Sequence, residues 1–95
     1  MTDWPFDEPE DAAAITVRQV VDEGAWIYIV SRDPEDGCWQ FLSAEPPQEE
    51  DPVVVPLGEM VEIDPSLKQL ADLPRGWCAW REDPEAVWQR APQED

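Results

Sequence analysis

Twenty-three carboxylates against six Lys and Arg, with no histidine, give this 95-residue chain a formal charge of −17. A compact fold must keep nearly all of those acids in water and draw its core from what remains. Enough remains: 42% of the residues are apolar and six are tryptophan, so the acidity does not imply disorder. The length supports one domain, near the lower limit for a single core without staples. Disorder is expected at the ends only. Residues 1–11 (MTDWPFDEPED) hold five acids, two prolines and no base and read as a flexible acidic tail; 91–95 (APQED) read as a second. The ordered domain is expected over 12–90.

The first residues show no basic n-region followed by an apolar run, and the longest apolar run, Ala25 to Val30, is too short to span a bilayer. A cytoplasmic protein without membrane contact is expected. In that setting Cys38 and Cys78 are expected as reduced, buried thiols, a disulfide being the minor reading.

Thr16-Val-Arg-Gln19 has capping-box spacing, which predicts a two-turn helix carrying Val17, Val20 and Val21 and ending at Gly24. Ala13-Ala14-Ile15 before it reads as a short strand. Ala25 to Arg32 is the clearest strand, with Ala25, Ile27 and Ile29 on one face and Trp26, Tyr28 and Val30 on the other. Both faces are apolar, so it should be central and covered twice, or offer one face to a partner. The loop Asp33-Pro-Glu-Asp-Gly37 turns the chain into a second strand, Cys38 to Ser43, with Trp39 and Phe41 on one face. Residues 44–52 form an acidic, proline-rich loop, and Val53-Val54-Val55 a third strand. Leu57 to Ile63 fits a helix, and Asp64-Pro65 starts another. Gly76 to Glu82 is the last predicted strand, Trp77 and Trp80 facing opposite ways, and Asp83-Pro84 leads into a terminal turn. The sum is an α+β domain: a small, mainly antiparallel sheet of three to four strands with two or three short helices.

The composition removes most chemistry. Without histidine, neither a Ser-His-Asp nor a Cys-His nor an HExxH arrangement can be built. A cysteine nucleophile needs a cationic neighbour, and Arg81 falls on the strand face opposite Cys78. Among 23 acids almost any carboxylate pair can be nominated, so none carries information, and solvated surface is the default. Counting a calcium loop from Asp33 puts Gly37 at position 5 and Ala44 at position 12, where the EF-hand needs Gly at 6 and Glu at 12. No catalytic residue, cofactor or metal is therefore expected. Nucleic acid is disfavoured by charge alone.

What the charge favours is a basic protein partner. The acids Asp33, Glu35 and Asp36 in the hairpin, and Glu45, Glu49, Glu50 and Asp51 in the following loop, would steer association, with charge reversal at Glu49 and Glu50 expected to slow it. An exposed aromatic, Trp39 or Trp26, would anchor the complex. Core packing is the commoner fate of strand tryptophans in so small a domain. Trp4 lies in the acidic tail, where with Phe6 it resembles a short linear binding segment.

From Val17 to Arg90 the order of landmarks resembles a bacterial family of small domains of unknown function grouped with immunity proteins of polymorphic toxin systems. The carrying residues are Val20-Val21-Asp22-Glu23-Gly24, Ile27-Tyr28-Ile29-Val30-Ser31-Arg32 and Asp36-Gly37-Cys38-Trp39-Gln40-Phe41-Leu42-Ser43. Glu45, Asp51, Asp64-Pro65-Ser66-Leu67, Pro74-Arg75-Gly76 and Arg81-Glu82 complete them. Where the family reads Asp-Ser-Gly-Trp and Ser-Gly-Asp-Glu, this chain has Asp36-Gly-Cys-Trp39 and Ser43-Ala44-Glu45. The resemblance implies a cytoplasmic bacterial α+β protein with an immunity role. The expected function is thus a non-enzymatic acidic binding protein, an immunity-type inhibitor of a basic toxin being one form of it. The alternatives are a small-ligand domain with a pocket near Trp39 and the Asp36–Glu45 turn, or an accessory domain with no dedicated site.

Overall fold

The computed structural model describes residues 4–6, 8–44 and 52–93. The chain is α+β, as expected, but its sheet has six strands rather than three or four. They are β1 (Ala13–Val17), β2 (Ile27–Arg32), β3 (Trp39–Ser43), β4 (Pro52–Pro56), β5 (Trp77–Trp80) and β6 (Gln89–Pro92). A one-turn helix α1 (Arg18–Val21) follows β1; α2 (Leu57–Ile63) and a 3₁₀ helix (Pro65–Leu70) follow β4. The strand order is β4-β1-β3-β2-β5-β6, antiparallel at every junction except β1–β3, which is parallel.

Thr16 is not a helix cap. Ile15, Thr16 and Val17 stay extended because β4 pairs along one side of them while β3 pairs with the start of β1 on the other. The Thr16 hydroxyl donates to the Phe41 carbonyl at 2.8 Å, and α1 begins after Val17 with no side-chain cap. A β-branched triplet with two strand neighbours outweighs a local capping signal.

In β2 the expected alternation slips. A bulge between Ile27 and Ile29 turns Ile27 onto the face of Val30, and both are fully buried. The hairpin after β2 closes as the sequence suggests. Asp33 Oδ1 accepts from the amides of Glu35 (2.7 Å) and Asp36 (3.2 Å), Asp36 Oδ1 accepts from Cys38, and Gly37 takes a φ of +73°. The Asp64 carboxylate accepts from the Ser66 amide at 3.0 Å, which starts the 3₁₀ helix.

Neither terminal segment is a tail where it is described. Phe6 is 6% exposed and meets the Trp39 ring edge-on at 5.3 Å, with Trp4 packed behind it at 5.1 Å. Trp4 packs against the core, because strap residues 4–6 and 8–12 run beside α2. Pro56 cannot cap that helix through its side chain, so its first amides go to the strap: Leu57 N–H donates to Ala12 O and Gly58 N–H to Glu10 O, both at 2.8 Å. Gly58 permits this approach, since a Cβ there would sit 3.2 Å from Glu10 atoms. At the other end, Gln89–Pro92 pairs with β5 as an unforeseen sixth strand, and Gln93 donates to the carbonyls of Arg32 (2.9 Å) and Trp77 (3.0 Å).

Candidate docking face and acidic hairpin

Cross-strand partners share a face of a sheet, so register assigns side chains to one side or the other. Ala14, Trp39, Phe41, Val30 and Ala79 point inward, all at most 2% exposed, and form one core with Leu57, Met60, Leu67, Leu70 and Leu73 from the helical side. The pairings Val54–Ile15, Ile15–Gln40, Gln40–Ser31, Ser31–Cys78 and Cys78–Ala91 run outward in one row across all six strands. Leu42, Ile29, Trp80 and Gln89 form a second outward row. Ile15, Ile29, Ser31, Cys78, Trp80 and Ala91 are half-buried and Gln40, Val54 and Gln89 exposed. Among the described residues this face has no cover.

The hairpin stands at one end of the outward rows. Asp33, Pro34, Asp36 and Cys38 join Ile15, Ser31, Gln40 and Gln93 around a cleft of about 210 Å³. The Glu35 and Asp36 amides hold the Asp33 carboxyl below the usual carboxylate range. Burial, and then the charges of Asp36 and Asp33, push the Cys38 thiol up, the direction opposite to what a nucleophile requires. Cys78 is outward and Arg81 inward, so they cannot pair.

Two of the six cations, Arg32 and Arg81, are buried inside the fold, and the other four are exposed. Arg32 donates to Gly37 O (3.2 Å) and Leu73 O (2.8 Å), pairs with Glu8, and lies over the Trp39 ring at 4.9 Å. Glu8 also accepts from Trp39 Nε1 at 3.1 Å. Arg81, 3% exposed, donates to Ile27 O, Pro84 O and Ser66 Oγ, pairs with Asp64 at 2.5 Å, and lies over Trp88 at 4.3 Å. Burial alone would raise the Asp64 pKa, but hydrogen bonds from Ser66 and Arg81 and the Arg81 charge outweigh it and hold it below normal. Arg90 pairs with Asp72, and Arg75 donates to Glu35 O at 3.1 Å beneath the hairpin. Two larger hollows, about 360 and 380 Å³, flank the helices, but the Asp64 and Arg81 of one are already engaged with each other.

Of the residues singled out by sequence, Asp33 and Asp36 come together on the cleft, and Glu35 is exposed beside them. Trp39 does not join them. It is 2% exposed and stacked in parallel on Phe41 in the core, on the opposite side of the sheet from the cleft, so it is no exposed anchor. Trp26 is half-buried against Tyr28, their rings edge-on at 5.9 Å. Glu45, Glu49, Glu50 and Asp51 lie outside the described residues. Ile15, Ile29 and Trp80 were not foreseen as site residues; the opposite facing of Trp77 and Trp80 was the available signal. Comparison with protein-family models, curated proteins and solved structures returns no match. No described helix is long and apolar enough to cross a membrane.

Proposed function

We propose that this chain is a non-enzymatic, cytoplasmic binding protein that docks on a basic protein partner. An immunity-type inhibitor of a toxin is the form to which the landmark order from Val17 to Arg90 points. The observation that carries the reading is the division of charge: Arg32 and Arg81 are buried in ion pairs, while Asp33, Glu35 and Asp36 stay at the surface on a turn fixed by its own hydrogen bonds. A preformed acidic turn steers a cation without an ordering cost at contact.

Affinity capture from native lysate at low salt, with salt elution and then stopped-flow kinetics on the eluted protein, tests this. Association should slow at least about tenfold between about 10 and 150 mM salt while dissociation changes less. Equal on-rates at both salts would remove steering from the account.

The cleft favours a second reading, a small polar ligand held between Asp33, Asp36, Ser31 and Gln93. It is smaller than the usual ligand pocket of about 300–1,000 Å³, which suits a single side chain better than a metabolite.

A further inference from the structure

We infer that the partner seats on the uncovered face of the sheet, an apolar patch of the basic protein lying along Ile15, Ile29 and Trp80 while one of its Lys or Arg side chains enters the cleft beside Asp33 and Asp36. This rests on the binding reading above and names the surface that performs it. Six strands at about 4.8 Å spacing give a face roughly 24 Å wide, which with the hairpin approaches the dimensions of a standard interface. The outward rows carry Ile15, Ile29, Val54, Trp80 and the amides of Gln40 and Gln89, with no charge among them, while Leu42 in the same row packs back against the core. Among the described residues, acids enter only at the rim, where Asp33 and Asp36 border the cleft that Ile15 also lines. An uncharged centre with a charged margin is the usual anatomy of a protein interface.

Charge decides the occupant. A second copy would bring another −17 against the first, so self-association is opposed. A basic protein meets attraction at the rim and apolar surface at the centre. Strand addition at the edges is hindered, because edge strand β4 begins and ends in Pro52 and Pro56 and edge strand β6 ends in Pro92. The face is left as the docking surface.

The test uses defined probes on the isotope-labelled full chain: an octapeptide of alternating Lys and Leu, and octalysine. At low salt the Lys-Leu peptide should shift the amides of Ile15, Ile29, Ser31 and Cys78 and the Trp80 indole. Octalysine should shift Asp33, Asp36 and the cleft-lining Ile15 and Ser31 without Ile29, Cys78 or Trp80. Ile15→Thr with Trp80→Thr should weaken the Lys-Leu peptide about tenfold. Val87→Thr, at a 76% exposed apolar residue off the face, should stay within about twofold. Ile29→Thr serves as a milder second variant should the double variant unfold.

If neither peptide shifts any resonance at low salt, the binding reading fails and this inference with it. Shifts confined to the cleft residues for both peptides, at equal affinity, would leave steering intact and overturn the face. So would Lys-Leu shifts centred on α2 and the 3₁₀ helix. Two further results overturn the assigned occupant: sedimentation as a dimer that Ile15→Thr with Trp80→Thr makes monomeric, or a Trp80 indole as protected from acrylamide in the free chain as Trp39.

Discussion

Arg81 shows how a single cation can organise a small acidic fold. Its guanidinium binds β2 through Ile27 O, the turn before β6 through Pro84 O, and the start of the 3₁₀ helix through Ser66 and Asp64. Asp64→Asn leaves that buried charge without its counterion and should destabilise by about 3 kcal/mol, read from urea unfolding. The pH sign follows from the depressed Asp64 pKa. Its contribution is complete above the unfolded value of about 3.9 and is lost as pH falls through the lower folded value. Asp64→Asn should therefore flatten the acid limb of stability against pH, and an unchanged limb would remove Asp64 from that role. Cys38 gives a second residue-level outcome. With its thiol pushed up, alkylation should be slower than in the unfolded chain and should quicken on Asp36→Asn. Asp64 as a cap was legible because Asp-Pro is a local signal. The partners of Arg81 were not, since they come from residues up to 54 positions away.

At the scale of elements, the sequence reads well where a segment's neighbours are close in the chain. The β2–β3 hairpin and α2 follow from turn chemistry and periodicity. It reads poorly where distant pairing decides. Gln89-Arg-Ala-Pro92 has neither β-branched residues nor alternation, yet β5 supplies a template that makes it a strand. Residues 4–12 have the composition of a tail, but Phe6 fills the space against Trp39, and Glu8 supplies the carboxylate that Arg32 and the Trp39 indole require. Phe6→Ala should therefore cost about 3 kcal/mol or more in chemical denaturation, where a true tail would give no change. The candidate site was half legible for the same reason. The acidic hairpin is local, whereas the row from Val54 to Ala91 exists only once six strands are ordered.

For the molecule as a whole, 23 acids on a radius of gyration of 12.5 Å repel one another. Salt should act in opposite senses on two measurements. Raising it from about 10 to about 500 mM shortens the screening distance from about 30 to below about 8 Å, which should raise the melting temperature by relieving self-repulsion while slowing association with a basic partner. A melting temperature that fell with salt would mean that ion pairs such as Arg81–Asp64 outweigh the repulsion.

The position of β1 governs when this fold can assemble. The strand is made early, yet both its flanking partners, Trp39–Gln40 in β3 and Pro52–Pro56 in β4, lie downstream. During synthesis β1 can pair with β3 once residue 43 has emerged but gains its second neighbour only after residue 56. The β2–β3 hairpin and the parallel β1–β3 pair can therefore form before β4 adds at the edge.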